Sequence, residues 1–525
     1  MERDDFISGA SAASSHMIHG GIRYLENGEF RLVHEAVTER NALLRIAPHY
    51  VRPLQTTIPI FSTFSGVLSA PLRFLRHGGG KHTERGAALI KIGLVIYDSF
   101  SRGGGRVPRH AFRGRKRSLQ ELPALNPDVK YTATYWDASL HDPERLAIDV
   151  LRDGRRAGGD QARAANYTAA VGAEGGRVVL RDMVSGEELG FAASVVINAS
   201  GPWTDLTNLA LGDPTHYMGG TKGSHIVLDH PELLAATGGG SCSSRTPTAA
   251  SCSSTRSRAA CSSAPPTSST AWATRSSAPR RRSTTSSTSS GRCCPASAST
   301  DRRSCTGSRA CARFPGTAIS PRGSSRATTA SRRLRSWEDA TVLSLVGGKW
   351  TTFRASAEHL ADRALALLAR PRRRSTKGVA IGGGNGFPTT ERARQQWIAG
   401  HADGLPAARV ATLLDRYGTV ATDLVAAIAE DPDDAPLVHL PGYSSAEVRH
   451  LALSEDVVHL DDLLMRRTSI AFVGGASEAA VTEIAALVAP VLGWDAGRTA
   501  SEVERGVAMV HAADPSWAEA SATSR

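Results

Sequence analysis

Cysteine is absent from this chain except in one stretch. All seven cysteines (Cys242, Cys252, Cys261, Cys293, Cys294, Cys305 and Cys311) lie between residues 241 and 335. The remainder has no disulfide framework, as suits a reducing, cytoplasmic setting. Long apolar runs are missing too. Nothing approaches the roughly 20 residues that a membrane-spanning helix needs. That leaves peripheral attachment open, at the inner face of the cell membrane. The opening residues, MERDDF, lack the basic and apolar regions of a signal peptide.

Acidic residues are nearly missing from the same stretch. Residues 241–335 hold 17 Arg, no Lys and one acid, Asp301, whereas the rest of the chain carries 45 basic and 49 acidic groups. The formal net charge of +12 therefore belongs to one segment and does not mark a nucleic-acid binder. Aromatics point the same way. Within the segment Trp272 and Phe314 stand alone, too few to interleave with arginine and stack on bases.

What is present reads as a soluble protein of two or three domains. Apolar spacing predicts an amphipathic helix over Phe30–Ala47, stopped by Pro48, and another over Gly86–Tyr97. A helix is expected at Pro143–Arg156, with strands at Arg177–Asp182, Ala193–Asn198 and Gly223–Leu228. After a strand ending at Val346, a Gly-Gly turn opens a helix over Thr352–Ala369. Beyond the basic linker Arg370–Lys377, helices are expected near Ala407–Tyr417, Thr422–Ala429, Ser445–Ser454, Ala476–Leu492 and Thr499–His511. Residues 241–335 are almost entirely Ser, Arg, Ala, Thr, Pro, Gly and Cys, a composition that builds no core and predicts disorder.

A shift of reading frame accounts for that composition. If each codon starts at the second base of the true one, Ser (UCN) and Cys codons report a true middle U, which encodes apolar residues. Ser241–Thr246 then decodes as Glu-Leu-Phe-Phe-Glu-Asn. Ala259–Ser268 decodes as Gly-Arg-Val-Leu-Leu-Gly-Ser-Thr-Asp-Ile. Ser304–Pro315 decodes as Ile-Val-Tyr-Arg-Phe-Ser-Gly-Val-Arg-Pro-Leu-Pro. The competing reading is a natural Arg/Ser linker.

Four motifs carry chemistry. SSHMIHGGIRYLE, starting at Ser14, is a small-residue loop whose paired glycines let the backbone approach a flat ligand. INASGPWTD (Ile197–Asp205) is a strand breaking into a Gly-Pro turn. TKGSHIVL (Thr221–Leu228) places a histidine in a strand, and VGGKWTTFR (Val346–Arg354) is strand, Gly-Gly turn and helix.

Together with LDDLLMRRTSIAF (Leu460–Phe472), these strings resemble the FAD-dependent glycerol-3-phosphate dehydrogenases of the D-amino-acid-oxidase-like flavoproteins. His16 and Met17 replace the family's Lys-Leu pair. The resemblance implies an α/β, Rossmann-like FAD-binding fold, an α+β substrate domain and an all-α C-terminal domain. In that division residues 1–60, 131–215 and 336–370 bind FAD. Residues 61–130 form a cap or substrate region and 216–240 a substrate-domain strand. Residues 371–390 are a linker and 391–525 the helical domain. No Gly-x-Gly-x-x-Gly turn is found, so the first βαβ unit is expected to be incomplete, with Glu2 aligned to the acid that holds the adenosine ribose.

The resemblance also implies oxidation of sn-glycerol 3-phosphate to dihydroxyacetone phosphate, with electrons passing on to quinone, or to oxygen in related oxidases. His225 is the candidate base, with a structural strand histidine the competing reading. Arg23 and Lys349 would bind phosphate or stabilise flavin charge, and Tyr24 would donate to substrate. Glu2, Ser14, Ser15, His19, Gly20, Gly21, Gly201, Gly347, Gly348, Thr351 and Thr352 would contact FAD. The helix after Gly347–Gly348 would present N–H groups and dipole to a reduced flavin. The family's substrate arginine, in its Ser-Gly-Val-Arg-Pro-Leu-Pro loop, is encoded only out of frame, so Arg309 and Arg313 do not replace it. His141, His439 and His450 are taken as structural or solvated, and no metal site is expected. A homodimer is compatible with the family, nucleic acid is not an expected partner, and an inactive product that binds no FAD is the alternative for the chain as written.

Overall fold

The structure, a computed structural model, describes residues 1–25, 28–64, 86–101, 107–219, 223–228, 235–237, 240–243, 250–255, 258–263, 313–316, 328–333 and 341–513. In chain order the strands are β1 (Met17–Ile18), β2 (Val51–Ile60), β3 (Ala111–Gly114), β4 (Tyr131–Leu140), β5 (Thr168–Glu174), β6 (Arg177–Asp182), β7 (Glu188–Phe191) and β8 (Val195–Asn198). They continue with β9 (Gly223–Leu228), β10 (Ser241–Ser243), β11 (Ala250–Thr255), β12 (Arg258–Ser263), β13 (Arg313–Gly316), β14 (Thr328–Arg333) and β15 (Thr341–Val346). The helices of the first 370 residues are α1 (Ile22–Leu25), α2 (Phe30–Ile46), α3 (Ala87–Ser101), α4 (Arg115–Glu121), α5 (Pro143–Gly158), α6 (Thr204–Ala210) and α7 (Phe353–Leu367). The C-terminal helices are α8 (Glu391–Gly400), α9 (Ala407–Tyr417), α10 (Ala421–Ala429), α11 (Ser445–Ser454), α12 (Leu460–Asp462), α13 (Glu478–Leu492) and α14 (Ala496–Ala513).

The largest sheet runs β1-β4-β2-β10-β11-β12-β9-β13, with β3 also on β4. Its backbone is the ten-residue antiparallel ladder from Val51↔Leu140 to Ile60↔Tyr131. β2 and β4 were not expected from the sequence. Pro53 and Pro59 disguise β2, since proline donates no ladder hydrogen bond; both lie outside the described β10 pairing at Thr56 and Thr57. β2 and β4, which the expected division assigns to the same FAD-binding part (1–60 and 131–215), pair along their whole length. Helices α2 and α3 cover the sheet, burying Val33, Val37, Leu94 and Tyr97 against Ile58, Ala133 and Tyr135.

Two smaller sheets complete the α/β part. One has order β14-β15-β8, in which β15 and β8 run parallel. The other is the antiparallel meander β5-β6-β7. Val178, Leu180, Leu211 and Val342 pack between them. Five strands, β10 to β14, fall in the segment whose composition predicts disorder. Ser, Thr and Cys serve these strands because a ladder bonds through backbone groups. Other parts of 241–335 lie outside the described residues.

The C-terminal helices pack as expected, around Val410, Leu413, Leu414, Leu424, Leu451, Ile484 and Val488. Local chemistry sets their ends. Thr390 accepts from the Ala393 N–H to cap α8, and Ser477 from the Ala480 N–H to cap α13. Gly493, left-handed at φ 68°, ends α13. Among the described residues no helix is long and apolar enough to cross a membrane.

Candidate active site

The parallel pair β8–β15 supplies the platform. Asn198, the last residue of β8, lies opposite Ser344, two residues before β15 ends at Val346. Ligands of open α/β sheets bind beyond such carboxyl ends. A buried amide network holds the first turn: the Asn198 side chain donates to Thr204 O at 3.0 Å and to Asn208 Oδ1 at 2.6 Å, and accepts from the Ser200 N–H at 3.1 Å. Asn208 Nδ2 reaches Ser344 Oγ at 3.1 Å, locking the two strand ends together. Gly201 follows at φ 57°, and Gly347 and Gly348 at φ 81° and 139°. A Cβ on Gly201 or Gly348 would meet nothing within 4 Å, so bare backbone faces open space at both turns.

The N-terminal loop folds onto this platform. Thr351 Oγ1 donates to His19 O at 3.1 Å and Trp350 Nε1 to Ser11 O at 2.9 Å. Gly9 lies against the Trp203 ring. Three of the four motifs read from the sequence therefore meet: the loop from Ser14, the turn after Ile197 and the turn after Val346.

The loop's geometry is enforced from behind. The Gly20 N–H donates to Asp137 Oδ1 at 2.8 Å. Asp137 also accepts from Tyr97 OH at 2.5 Å and pairs with Arg40 at 3.3 Å, all three being buried. Burial and the Asp137 charge push the Tyr97 hydroxyl far above its ordinary pKa, so it stays a donor. A Cβ on Gly20 would stand 2.0 Å from Tyr97 OH. Gly20, expected to let backbone approach a flat ligand, also lies close against Tyr97. Arg40, Tyr97 and Asp137 escaped the sequence reading. The signal for Arg40 was a charge in the apolar stripe between Val37 and Leu43.

Tyr24 and Lys349 come together. Lys349 Nζ donates to Tyr24 OH at 2.5 Å and lies 3.8 Å from the ring centroid. Burial lowers the ammonium pKa to about 8, against the opposing pull of Glu29 and Glu35. The His19 ring centroid is 6.4 Å from that of Tyr24. Gly21 bends at φ 76° beside the Tyr24 ring. Ser14 Oγ accepts from the His16 N–H at 3.2 Å, shaping the turn at Ser15. Thr351 and Thr352 are buried at the head of α7. Glu2 bonds through its backbone to Ala165 and Thr168 at the start of β5, and burial raises its carboxyl pKa.

Two expected residues are placed by backbone only. Arg23 sits in α1 beside Tyr24, and His225 sits in β9 opposite Ser262 and Phe314; their side chains lie outside the described residues. His141 Nε2 bonds Ser139 Oγ at 3.0 Å, in keeping with a structural role. Among the described residues no group of His, Cys, Asp and Glu could hold a metal.

The fold is that of an FAD-dependent oxidoreductase, and residues 1–250 match the family model of that description. Residues 374–499 match the C-terminal domain of alpha-glycerophosphate oxidase. A Synechocystis glycerol-3-phosphate dehydrogenase is 36% identical over 44% of this chain and 40% of its own length. Glycerol-3-phosphate dehydrogenase 2 of Mycobacterium tuberculosis (strain H37Rv) is 28% identical over 97% of this chain and 82% of its own. The solved structure of the Bacillus halodurans glycerol-3-phosphate dehydrogenase, complexed with FAD, covers 98% of this chain and 90% of its own at TM-score 0.70 and 18% identity, a likeness of fold. The chain belongs to the FAD-dependent glycerol-3-phosphate dehydrogenases of the D-amino-acid-oxidase superfamily. The residues present fit the flavin end of that cofactor: Gly201 and Gly348 leave open backbone, and α7 starts beside them.

Proposed function

We propose that this chain oxidises sn-glycerol 3-phosphate to dihydroxyacetone phosphate and passes the electrons to quinone, in glycerol catabolism. The observation that carries this is the Lys349–Tyr24 pair, held beside the Gly347–Gly348 turn where β8 and β15 end. FAD, when bound, supplies the hydride acceptor. Glu2, Ser14, Ser15, His19, Gly20, Gly21, Gly201, Gly347, Gly348, Thr351 and Thr352 would hold it. Lys349 and Arg23 would neutralise the phosphate or the charge on reduced flavin, and Tyr24 would orient the substrate. His225 would accept the carbinol proton.

A surface feature supports access to quinone. Helix α3 exposes Ile92 and Val95, and Lys91 on it lies over Phe112 of β3. β3 runs into α4, whose Arg115, Lys116 and Arg117 are exposed. Apolar and cationic groups side by side suit peripheral contact with an anionic bilayer.

The test is purified chain supplied with FAD, glycerol 3-phosphate and a soluble quinone. Dihydroxyacetone phosphate should form one-for-one with quinol. Hydrogen peroxide formed in place of quinol would instead identify an oxidase. FAD bound without turnover would sink the catalytic reading, and no FAD bound would mark the inactive product.

A further inference from the structure

Residues 2–21 run along the platform, and the helical domain grips this segment at two points. At the first, Asp5 is fully buried. Its carboxylate accepts from Arg467 Nη1 at 2.6 Å and Nη2 at 2.8 Å, from Arg466 Nε, and from Asn166 Nδ2 at 2.9 Å. Arg467 is itself fully buried, and its Nε donates to Glu455 O at 2.8 Å. At the second, the His16 ring stacks on Phe472, centroids 4.8 Å apart and planes 13° apart. His16 is left-handed at φ 52°. Between the grips Trp350 holds Ser11, and just beyond them Thr351 holds His19.

A buried ion pair adds little net stability over apolar packing, but it is costly when half-made. Its use is to fix one placement. In the observed register of residues 2–21, Asp5 meets both guanidinium nitrogens of Arg467 while His16 sits on Phe472. We infer that the helical domain is a clamp that pre-orders the cofactor-contacting segment, with Asp5, Arg467 and Phe472 as positioning residues for FAD binding. Burial opposes ionisation of Asp5, but the two arginines outweigh it and hold the carboxyl below its ordinary pKa, so the grip persists at neutral pH. The clamp rests on the FAD reading above, because it acts on the stretch from Glu2 to Gly21.

The experiment titrates full-length apoprotein with FAD, followed by flavin fluorescence, and measures amide hydrogen exchange without FAD. Arg467→Lys keeps the charge and loses the fork, whereas Phe472→Ala acts at a half-buried site and should fold. Each should weaken FAD binding by about tenfold or more, as expected when a binding segment loses its preordering. Exchange should rise in residues 7–21 and stay unchanged in α9 and α10. A merely structural role predicts faster exchange throughout the helical domain, with FAD affinity of the folded protein unchanged; that result overturns the clamp. Wild type that binds no FAD overturns both readings. Wild type that binds, with both variants matching it, overturns the clamp alone.

Discussion

The Gly20 N–H donates to Asp137 Oδ1 at 2.8 Å, across 117 residues of sequence. This bond joins the N-terminal loop to β4 in the large sheet. Asp137 holds Gly20 in place while Tyr97 and Arg40 hold Asp137.

A methyl group at Gly20 has no space, since Tyr97 OH stands 2.0 Å from its position. Gly20→Ala should cost about 1–3 kcal/mol, the usual range for overpacking. Urea unfolding would measure it. Adding Tyr97→Phe should recover part of the loss, giving a coupling in a double-mutant cycle. Full additivity would mean that the loop moves aside freely.

Asp137→Ala is a harsher change. It leaves Arg40 buried without its carboxylate, and half-broken buried pairs cost about 3–5 kcal/mol. The lowered urea midpoint should come with weaker FAD binding, because Gly20 loses its acceptor. Replacing Arg40 by Met together with Asp137 by Leu should be milder than Asp137→Ala alone.

Lys349 sets a pH dependence. Its folded pKa, about 8, lies below the ordinary lysine value of 10.5. The unfolded chain therefore binds this proton more tightly, and the group's contribution to stability rises with pH between those values. Function should run the other way. Above pH 8 the ammonium is lost, so KM for glycerol 3-phosphate should rise through that point. Lys349→Arg should move the break upward. A KM profile identical in the two proteins would remove Lys349 from phosphate recognition.

Gly348 tests the flavin platform. At φ 139° an L side chain is strained, and such residues cost about 1–3 kcal/mol. Gly348→Ala meets no neighbouring atom, so the strain is its whole intrinsic effect on the apoprotein. A methyl group in that open space should also obstruct FAD. The expected result is a modest fall in apoprotein melting temperature with a larger, separate fall in FAD affinity.

Much of this was legible in the residues. Helices such as Ala407–Tyr417 and Ser445–Ser454 form as expected because their apolar positions, Val410, Leu413 and Leu414 in one and Val448 and Leu451 in the other, are buried. Strand Arg177–Asp182 does so as well. β2 was hidden because its prolines argue against a strand, and only the long ladder to β4 overrides them. The Arg40–Tyr97–Asp137 cluster was hidden for another reason. Its members come from α2, α3 and β4, and no local pattern links residues 40, 97 and 137. Tyr24 and Lys349 were found one at a time through their motifs, but their pairing is a tertiary fact.

The segment 241–335 gives the sharpest prediction. β10 (Ser241–Ser243) falls on the first decoded run, β12 (Arg258–Ser263) overlaps the second, and β13 (Arg313–Gly316) overlaps the end of the third. Those runs decode as strand or loop sequence in the other frame, with apolar Leu-Phe-Phe beginning under β10 and Val-Leu-Leu under β12, and the strands join one sheet with β2 and β9. Serines placed in a sheet offer little apolar area to bury, whereas a fully buried Leu or Phe contributes about 1.5–3 kcal/mol. A gene rewritten with residues 241–335 in the alternative frame should therefore encode a more stable protein, by calorimetry, than the chain as printed. It would also carry the Ser-Gly-Val-Arg-Pro-Leu-Pro loop, so KM for glycerol 3-phosphate should fall. If the rewritten protein melts no higher and binds substrate no better, the Arg/Ser composition is native to the protein and the shifted frame is wrong.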